Sequence, residues 1–380
     1  MTSTGAASSR PVVWVTADLA VPARAGGELR SLRLLSALAA LTPVQVALLN
    51  PAADAEAVQQ ATGAVAVRQL PAWSTAVAKR TLALRRGWPL PTSAVHDREL
   101  AAWVLGAAGA GGIVVADHLQ VAPYLAGAQR SVLSLHNDDA ALLLQQRPAA
   151  GAARRLEQHW DRQATRRLQR RWLSRAQQVV CVSEQDRASL GRSDAVVVPN
   201  GADLPGRTSP VPAGGRLVFV GSLNYPPNSE AVRGWLREIA PLLPADLPVL
   251  TVVGRAARAI LGDQPGLEIV ADPPEVLPYL EQASVVVLPL RAGGGSRLKL
   301  IEAMALGRPV VSTTKGAEGF PVRHDRELLL ADGPAEIAAA VTRVYRDPAL
   351  AHRLATAGRA FAQAYSWEVL GARFAAAVLS

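Results

Sequence analysis

A single cysteine, Cys181, stands among 380 residues, together with only two methionines and four phenylalanines. One cysteine excludes an internal disulfide. Its place in the apolar run Gln178-Val179-Val180-Cys181-Val182 suits a small buried strand residue better than a nucleophile. With aromatic residues at 4%, aliphatic side chains must supply most of the core. No apolar run is long and uninterrupted enough to span a bilayer, and no basic–apolar–small order of a signal peptide opens the chain. A cytoplasmic protein is expected, with peripheral contact to the inner membrane face left open. No His/Cys/Asp cluster has metal-ligand spacing. Asp138-Asp139 read as a helix cap or loop pair rather than a metal motif, so neither a metal nor any other cofactor is expected. No short repeat or low-complexity tract is visible.

What is present is enough chain for two α/β domains. The 40 Lys+Arg against 31 Asp+Glu give a formal net charge of +9 and favour anionic partners without choosing among them. Short apolar runs alternate with helix-like segments: Pro11 to Thr16, Val44 to Leu49, Gly112 to Ala116, Ser131 to Leu135, Gln178 to Val182 and Ala195 to Val198. Runs of this kind separated by helices predict a parallel sheet covered on both faces. The first helix is expected over Glu28 to Leu41, with Leu32, Leu35, Leu38 and Leu41 on its apolar face. Pro199 to Gly215 is rich in Pro and Gly and reads as an interdomain linker. The alternation then restarts with Arg216 to Val220, Val249 to Val253, Leu267 to Val270, Ser284 to Leu288 and Pro309 to Ser312. Tandem α/β halves usually place their ligand at the strands' carboxyl ends. An Ala-rich helix is expected after Trp367.

The segment Pro289 to Pro309, PLRAGGGSRLKLIEAMALGRP, carries the most chemistry. It follows an apolar strand. Gly293, Gly294 and Gly295 permit close backbone approach, and a helix is expected to start near Ser296, a good N-cap type. Free amides at such a start suit a diphosphate. Arg297 and Lys299 add positive charge. Glu302 falls on the same helix face as Lys299 and is placed to accept hydrogen bonds from a ribose diol. Short motifs of this kind also occur as ordinary solvated helix starts.

The order of these residues resembles the donor-binding signature of the family 4 (group 1) retaining glycosyltransferases of GT-B fold. Glu302-Ala303-Met304-Ala305 and Gly307-Arg308-Pro309-Val310-Val311 match its most specific part, and Gly316-Ala317-Glu318-Gly319 is similar to a following loop. Gly26-Gly27, Val182-Ser183, Val198-Pro199-Asn200-Gly201, Phe219-Val220-Gly221 and Tyr365-Ser366-Trp367-Glu368 resemble further landmarks in the expected order. The resemblance implies two Rossmann-like domains facing across a cleft: an acceptor domain over residues 1–205, a donor domain over 206–362, and a C-terminal helix, 363–380, returning to the first. It implies transfer of a hexose-type sugar from a nucleotide diphosphate sugar, UDP on family frequency, to an acceptor hydroxyl with retention. Catalytic roles fall to His136, Arg297 and Lys299. Donor binding falls to Gly293, Gly294, Gly295, Ser296, Arg297, Lys299, Leu300, Glu302, Gly221 and Asn224. Family members usually react by front-face attack, so no nucleophile is assigned. Two departures stand out. Gly294 occupies the position of a second acid found in many relatives. The stretch Gly221 to Asn228 lacks an Arg and a Lys that many relatives carry there, which throws weight onto Arg297 and Lys299.

Weaker signals complete the reading. Gly26 and Gly27 are expected at an acceptor or phosphate loop, with Glu28 and Arg30 at the helix start. Asp117 and His118 follow a strand and are candidates for acceptor contact or a general base. Arg147 to Arg175 holds nine arginines, with Leu156, Trp160, Ala164, Leu168 and Trp172 four residues apart. The stripe reads first as a core-facing helix with a basic outer face, and second as a dock for an anionic membrane or lipid-linked acceptor. A small-molecule, glycan or lipid-linked acceptor remains open. A sugar-nucleotide epimerase would need more acids and histidines than this chain offers. A non-catalytic binding protein on the same scaffold is permitted by Gly294 and opposed by Arg297, Lys299 and Glu302. Nucleic-acid binding lacks a recognition module.

Overall fold

The computed structural model describes residues 10–23, 25–70, 76–144 and 151–380. Thirteen strands are described, all in parallel sheets: β1 Val12–Thr16, β2 Val44–Leu48, β3 Ala66–Gln69, β4 Ile113–Asp117, β5 Arg130–Ser134, β6 Gln178–Cys181, β7 Val196–Val197, β8 Arg216–Val220, β9 Leu250–Gly254, β10 Leu267–Ala271, β11 Ala283–Leu288, β12 Val310–Ser312 and β13 Leu329–Leu330. The first sheet runs β3-β2-β1-β4-β5-β6-β7 and the second β10-β9-β8-β11-β12-β13. Both orders reverse direction once, between the first strand and the fourth of each sheet. Ligands of open α/β sheets bind at such a point, outside the carboxyl ends.

The chain divides into two compact units, residues 1–198 with 370–380, and residues 199–369. These divisions fall seven residues from the expected ones at 205 and 362. The valine-rich central strands are buried on both faces, as continuous apolar runs require. In unit 1, Trp14 of β1 meets Phe374 of the helix Trp367–Leu379 at a ring separation of 5.6 Å. The last eleven residues thus pack into the first unit, as expected of a returning helix. Cys181 is fully buried on β6, and burial pushes its thiol up to about 11, so it is inert at neutral pH.

Several expectations shift. The first helix is Gly26–Ala39 and buries Arg30, Ser31, Leu34, Leu35 and Leu38, whereas Leu41 lies beyond its end, 62% exposed. Glu28 stands at the helix start as expected, where its carboxylate accepts from the Ala25 amide at 3.0 Å. β3 and β13 had no sequence signal. The Arg-rich helix spans Ala152–Leu173, and the beginning of the expected stretch, residues 147–150, lies outside the described residues. Its stripe is half right: Ala164, Leu168 and Trp172 are buried, but Leu156 is 71% exposed. The Pro/Gly-rich segment is not a free linker. Buried Arg308 donates to the carbonyls of Ser209, Pro210 and Glu281, and Arg359 donates to Pro205 O at 2.6 Å, so the segment is sewn onto unit 2. No helix among the described residues is long and apolar enough to cross a membrane.

Candidate functional site

In unit 1 the direction of the sheet reverses between β1 and β4, and both strands end in polar residues. Asp117 closes β4 beside Thr16 of β1. Its carboxylate accepts from His136 Nε2 at 2.8 Å, from Ser31 Oγ at 2.5 Å and from Thr16 Oγ1 at 3.3 Å. Burial opposes ionisation of Asp117. Contact with His136, with His118 and Ser31 adding to it, outweighs burial and holds the carboxyl well below the usual range. Asp117 was expected to meet the acceptor or act as a general base; it is fully buried, so it cannot meet the acceptor, and it holds His136 instead. Burial, with His118 adding to it, pushes the His136 imidazole down to about 3, so the ring is neutral at working pH. With the Nε2 proton committed to Asp117, Nδ1 is left as a lone-pair acceptor, and it has no partner among the described residues.

His118 stacks on His136 with ring centroids 3.6 Å apart. Its backbone stands at φ 87°, a costly conformation for a side-chain-bearing residue. Gly27 lies under both rings: a Cβ there would stand 3.6 Å from His136 Nδ1 and 3.9 Å from His118 Nε2. Gly26 opens the helix, with Ala25 as its N-cap. Arg30 is buried, and burial lowers its guanidinium to about 10 despite the pull of Asp117. Asp138 serves as the expected cap, accepting from the Ala141 amide at 3.0 Å and from Gln169 and Ser189 side chains.

In unit 2 the reversal lies between β8 and β11. Gly221 follows β8, and the glycine loop follows β11. Lys299 reaches across to the end of β8. Its ammonium donates to Asn228 Oδ1 at 2.7 Å and lies 4.5 Å from the centre of the Phe219 ring. A Cβ on Gly221 would stand 2.7 Å from the lysine nitrogen, so a side chain there would push the lysine tip aside. Burial, reinforced by Arg297, pushes Lys299 down to about 7. Glu302 lies one turn along the helix Leu298–Ala305 and is half-buried. Burial and the nearby Asp203 carboxylate push it up to about 7, against the pull of Lys299.

The glycine loop is held from several sides. Gly293 adopts φ 109°, and a Cβ there would stand 2.9 Å from both Arg297 Nη1 and the Tyr225 hydroxyl. Arg297 donates to Gly294 O at 2.8 Å and to Lys315 O at 3.3 Å, and pairs with Glu318 at 3.3 Å. Lys315 shares that carboxylate at 2.7 Å. Arg297 is therefore first a brace of the loop. The helix starts one residue later than expected, with Arg297 at the N-cap position. Ser296 instead ties the loop to the start of unit 2. Its hydroxyl accepts from the Asn200 amide at 2.8 Å, and its carbonyl accepts from Asn200 Nδ2 at 2.8 Å. Gly319 backs onto it, since a Cβ there would stand 2.6 Å from Ser296 Cα.

The side chain of one expected donor residue is turned away. Leu300 is fully buried among apolar side chains beneath the helix, so its side chain cannot touch a donor. Asn224 is exposed at the end of the segment that follows β8, and the residue that meets Lys299 is Asn228, four positions on. Asn228 and Tyr225 were missed in sequence. Their stretch attracts notice only through its two prolines, which open the helix Pro226–Gly234 and bring Asn228 to the end of β8.

Comparison with known proteins bears on the fold and on unit 2. Residues 214–347, inside unit 2, match the family described as glycosyl transferases group 1. An uncharacterized 44.6 kDa protein in the cps region of Klebsiella pneumoniae is 26% identical over 129 residues, 30% of this chain. The matched stretch spans only a third of that relative's length, 33%. Among solved structures, sucrose-phosphate synthase from Thermosynechococcus elongatus aligns over 96% of each chain at 18% identity, TM-score 0.66. Anabaena HepE in complex with UDP and glucose aligns over 97% of this chain and 98% of its own at 16% identity, TM-score 0.69. At these identities the likeness establishes the fold: two Rossmann-like units of GT-B type.

Proposed function

We propose, with unit 2 matching the glycosyl transferases group 1, that this protein moves a hexose-type sugar from a nucleotide diphosphate donor to an acceptor hydroxyl with retention of configuration. The observation that carries the proposal is the Lys299 ammonium at the carboxyl edge of β8, with Glu302 one turn away and the glycine loop beside both. A half-buried lysine poised near pH 7 gains charge when an anion arrives. It then stabilises the diphosphate as the sugar–phosphate bond breaks, where a preorganised cation is most effective. Glu302 as carboxylate accepts from the ribose diol. Arg297, braced by Glu318, keeps the loop amides aimed and adds charge. These fixed cations supply what a metal supplies elsewhere, and the transfer requires no metal or other cofactor. UDP is the favoured donor base, in line with the HepE complex.

Unit 1 supplies the acceptor side, with His136 Nδ1 accepting from a sugar hydroxyl and Gly26-Gly27 leaving room beside it. The acceptor is a small molecule, a glycan or a lipid-linked alcohol, and not nucleic acid. Exposed Arg154, Arg155, Arg167, Arg170 and Arg171 on the helix Ala152–Leu173 favour peripheral contact with anionic lipid. The working place is the cytoplasmic face of the membrane or the cytoplasm. The test is incubation with UDP-hexoses and a panel of acceptor alcohols in EDTA, with anomeric configuration read by NMR. An α-linked product from an α-linked donor is expected. An inverted product, or no turnover of any donor by folded protein, overturns the reading.

A further inference from the structure

Lysine is scarce in this basic chain: only Lys79, Lys299 and Lys315 stand among 40 Lys+Arg. An arginine stays charged at any working pH, whereas a lysine loses its proton readily when its surroundings disfavour the charge. Lys315 lies 2.7 Å from the Glu318 carboxylate. Lys299 has no carboxylate within ion-pair distance among the described residues. Its ammonium meets a neutral acceptor, Asn228 Oδ1 at 2.7 Å, and the face of the Phe219 ring.

Asn228 is held at both ends. It is 6% exposed, in the first turn of the helix Pro226–Gly234, and its backbone amide donates to Tyr225 O at 2.9 Å. Its side-chain Nδ2 donates to Ser222 O at 2.7 Å. That bond engages the donor end of the amide and fixes which way the group faces, so Oδ1 is turned to the lysine. Gly221 leaves room for both side chains, since a Cβ there would stand 2.7 Å from Lys299 Nζ and 2.8 Å from Asn228 Nδ2.

An amide oxygen holds an ammonium by a hydrogen bond and brings no charge. A carboxylate in the same place would hold it more firmly, but would cancel the charge and fix the proton. The charged groups that act on Lys299 are Arg297, which opposes its proton, and Glu302, which favours it. Asp203 acts in turn on Glu302. Glu230 and Arg233, on the same helix as Asn228, are exposed.

We infer that Asn228 is the positioning residue of the donor site: its amide, clamped on the Ser222 carbonyl, fixes the Lys299 ammonium at the end of β8 and leaves the charge uncompensated for an arriving diphosphate. This role rests on the reading of Lys299 as the diphosphate-binding cation.

The test uses the full chain, labelled at lysine with 13C, and follows the Cε shifts by NMR from about pH 5 to about pH 10 without nucleotide. The three lysines give few signals, and that of Lys299 is identified by its loss in Lys299→Met. Its wild-type midpoint is expected near 7. Asn228→Asp should raise the midpoint by about 1–3 pH units by adding an opposite charge. Asn228→Ala should lower it, because the charged form loses its acceptor. A merely structural role would open the site to water in both variants and raise both midpoints. Calorimetry at neutral pH should show UDP binding weakened about 10-fold in Asn228→Asp, where a carboxylate faces the phosphate. Circular dichroism verifies that each variant is folded. A midpoint that stays in place in folded Asn228→Asp, or rises in folded Asn228→Ala, overturns the inference even if wild type binds UDP. If both midpoints move as expected and folded wild type binds no UDP, the donor reading has failed and the assigned role falls with it.

Discussion

The two sheets reverse direction in the same way and end in opposite chemistry. At the reversal in unit 1, charge is locked: Asp117 is ionised, buried and saturated by three donors, and His136 is held neutral. At the reversal in unit 2, charge is poised: Lys299 and Glu302 both sit near 7. One backbone plan therefore yields a fixed network in one unit and a titratable lysine–glutamate pair in the other. The difference lies in what the buried groups touch. Asp117 has partners for its ionised form, whereas Lys299 finds a neutral amide oxygen, an aromatic face and a second cation. Burial alone does not decide a residue's charge; the neighbours do.

The sharpest way to break the comparison is to remove the poised cation. Lys299→Met should lower turnover by about 10²–10³, the usual cost of losing a charge-stabilising donor, and ground-state nucleotide affinity much less. Steady-state kinetics with saturating donor separates the two effects. A loss confined to KM would make Lys299 a binding group only.

Unlocking unit 1 comes next. Asp117→Ala strands His136 Nε2 and Ser31 Oγ in the core, and should cost about 1.5–3 kcal/mol of stability, read by urea denaturation. The pH sign follows from the lowered Asp117 value. Its stabilisation is complete above the unfolded carboxyl pKa of about 4. It fades as pH falls through the depressed folded value. Asp117→Asn should therefore unfold with a weaker acid dependence than wild type.

Glu302→Ala should weaken nucleotide binding by about 1–3 kcal/mol, the cost of leaving polar groups unpaired, read by calorimetry. An effect of similar size is expected from the buttress. Gly319→Ala places a Cβ against Ser296 at φ 94°, and should cost about 1–3 kcal/mol of stability through backbone strain. Thermal melts with and without nucleotide would separate a general loss from a displaced glycine loop.

Much of this was legible in the sequence. The strand runs were recognisable because strands covered on both faces are nearly continuously apolar, and eleven of the thirteen stood out as such runs, although β7 and β10 are only partly buried. β3, with partly buried and mixed residues, and β13, with two residues, did not. The glycine loop, Lys299 and Glu302 were legible because a local motif spells them. What was lost depends on distant partners. Nothing near Asp117 announces that Ser31, 86 positions away, and His136 will saturate it. Leu300 shares a motif with Lys299, yet helical rotation turns it into the core. Pro199 to Gly215 looked like a linker because composition reports the lack of periodicity, not the two arginines that bind its carbonyls.

The central claim is that Lys299 and Glu302 together receive the diphosphate donor, and it is tested most directly by the pH dependence of UDP affinity. Lys299 must be protonated to attract phosphate, so affinity falls as pH rises above about 7; Glu302 must be ionised to accept from the ribose, so affinity falls as pH drops below about 7. Calorimetry across this range should give a bell centred near neutrality, with Glu302→Gln losing the acid limb and Lys299→Met the alkaline limb. A flat profile in wild type, or an identical bell in both variants, would contradict the account.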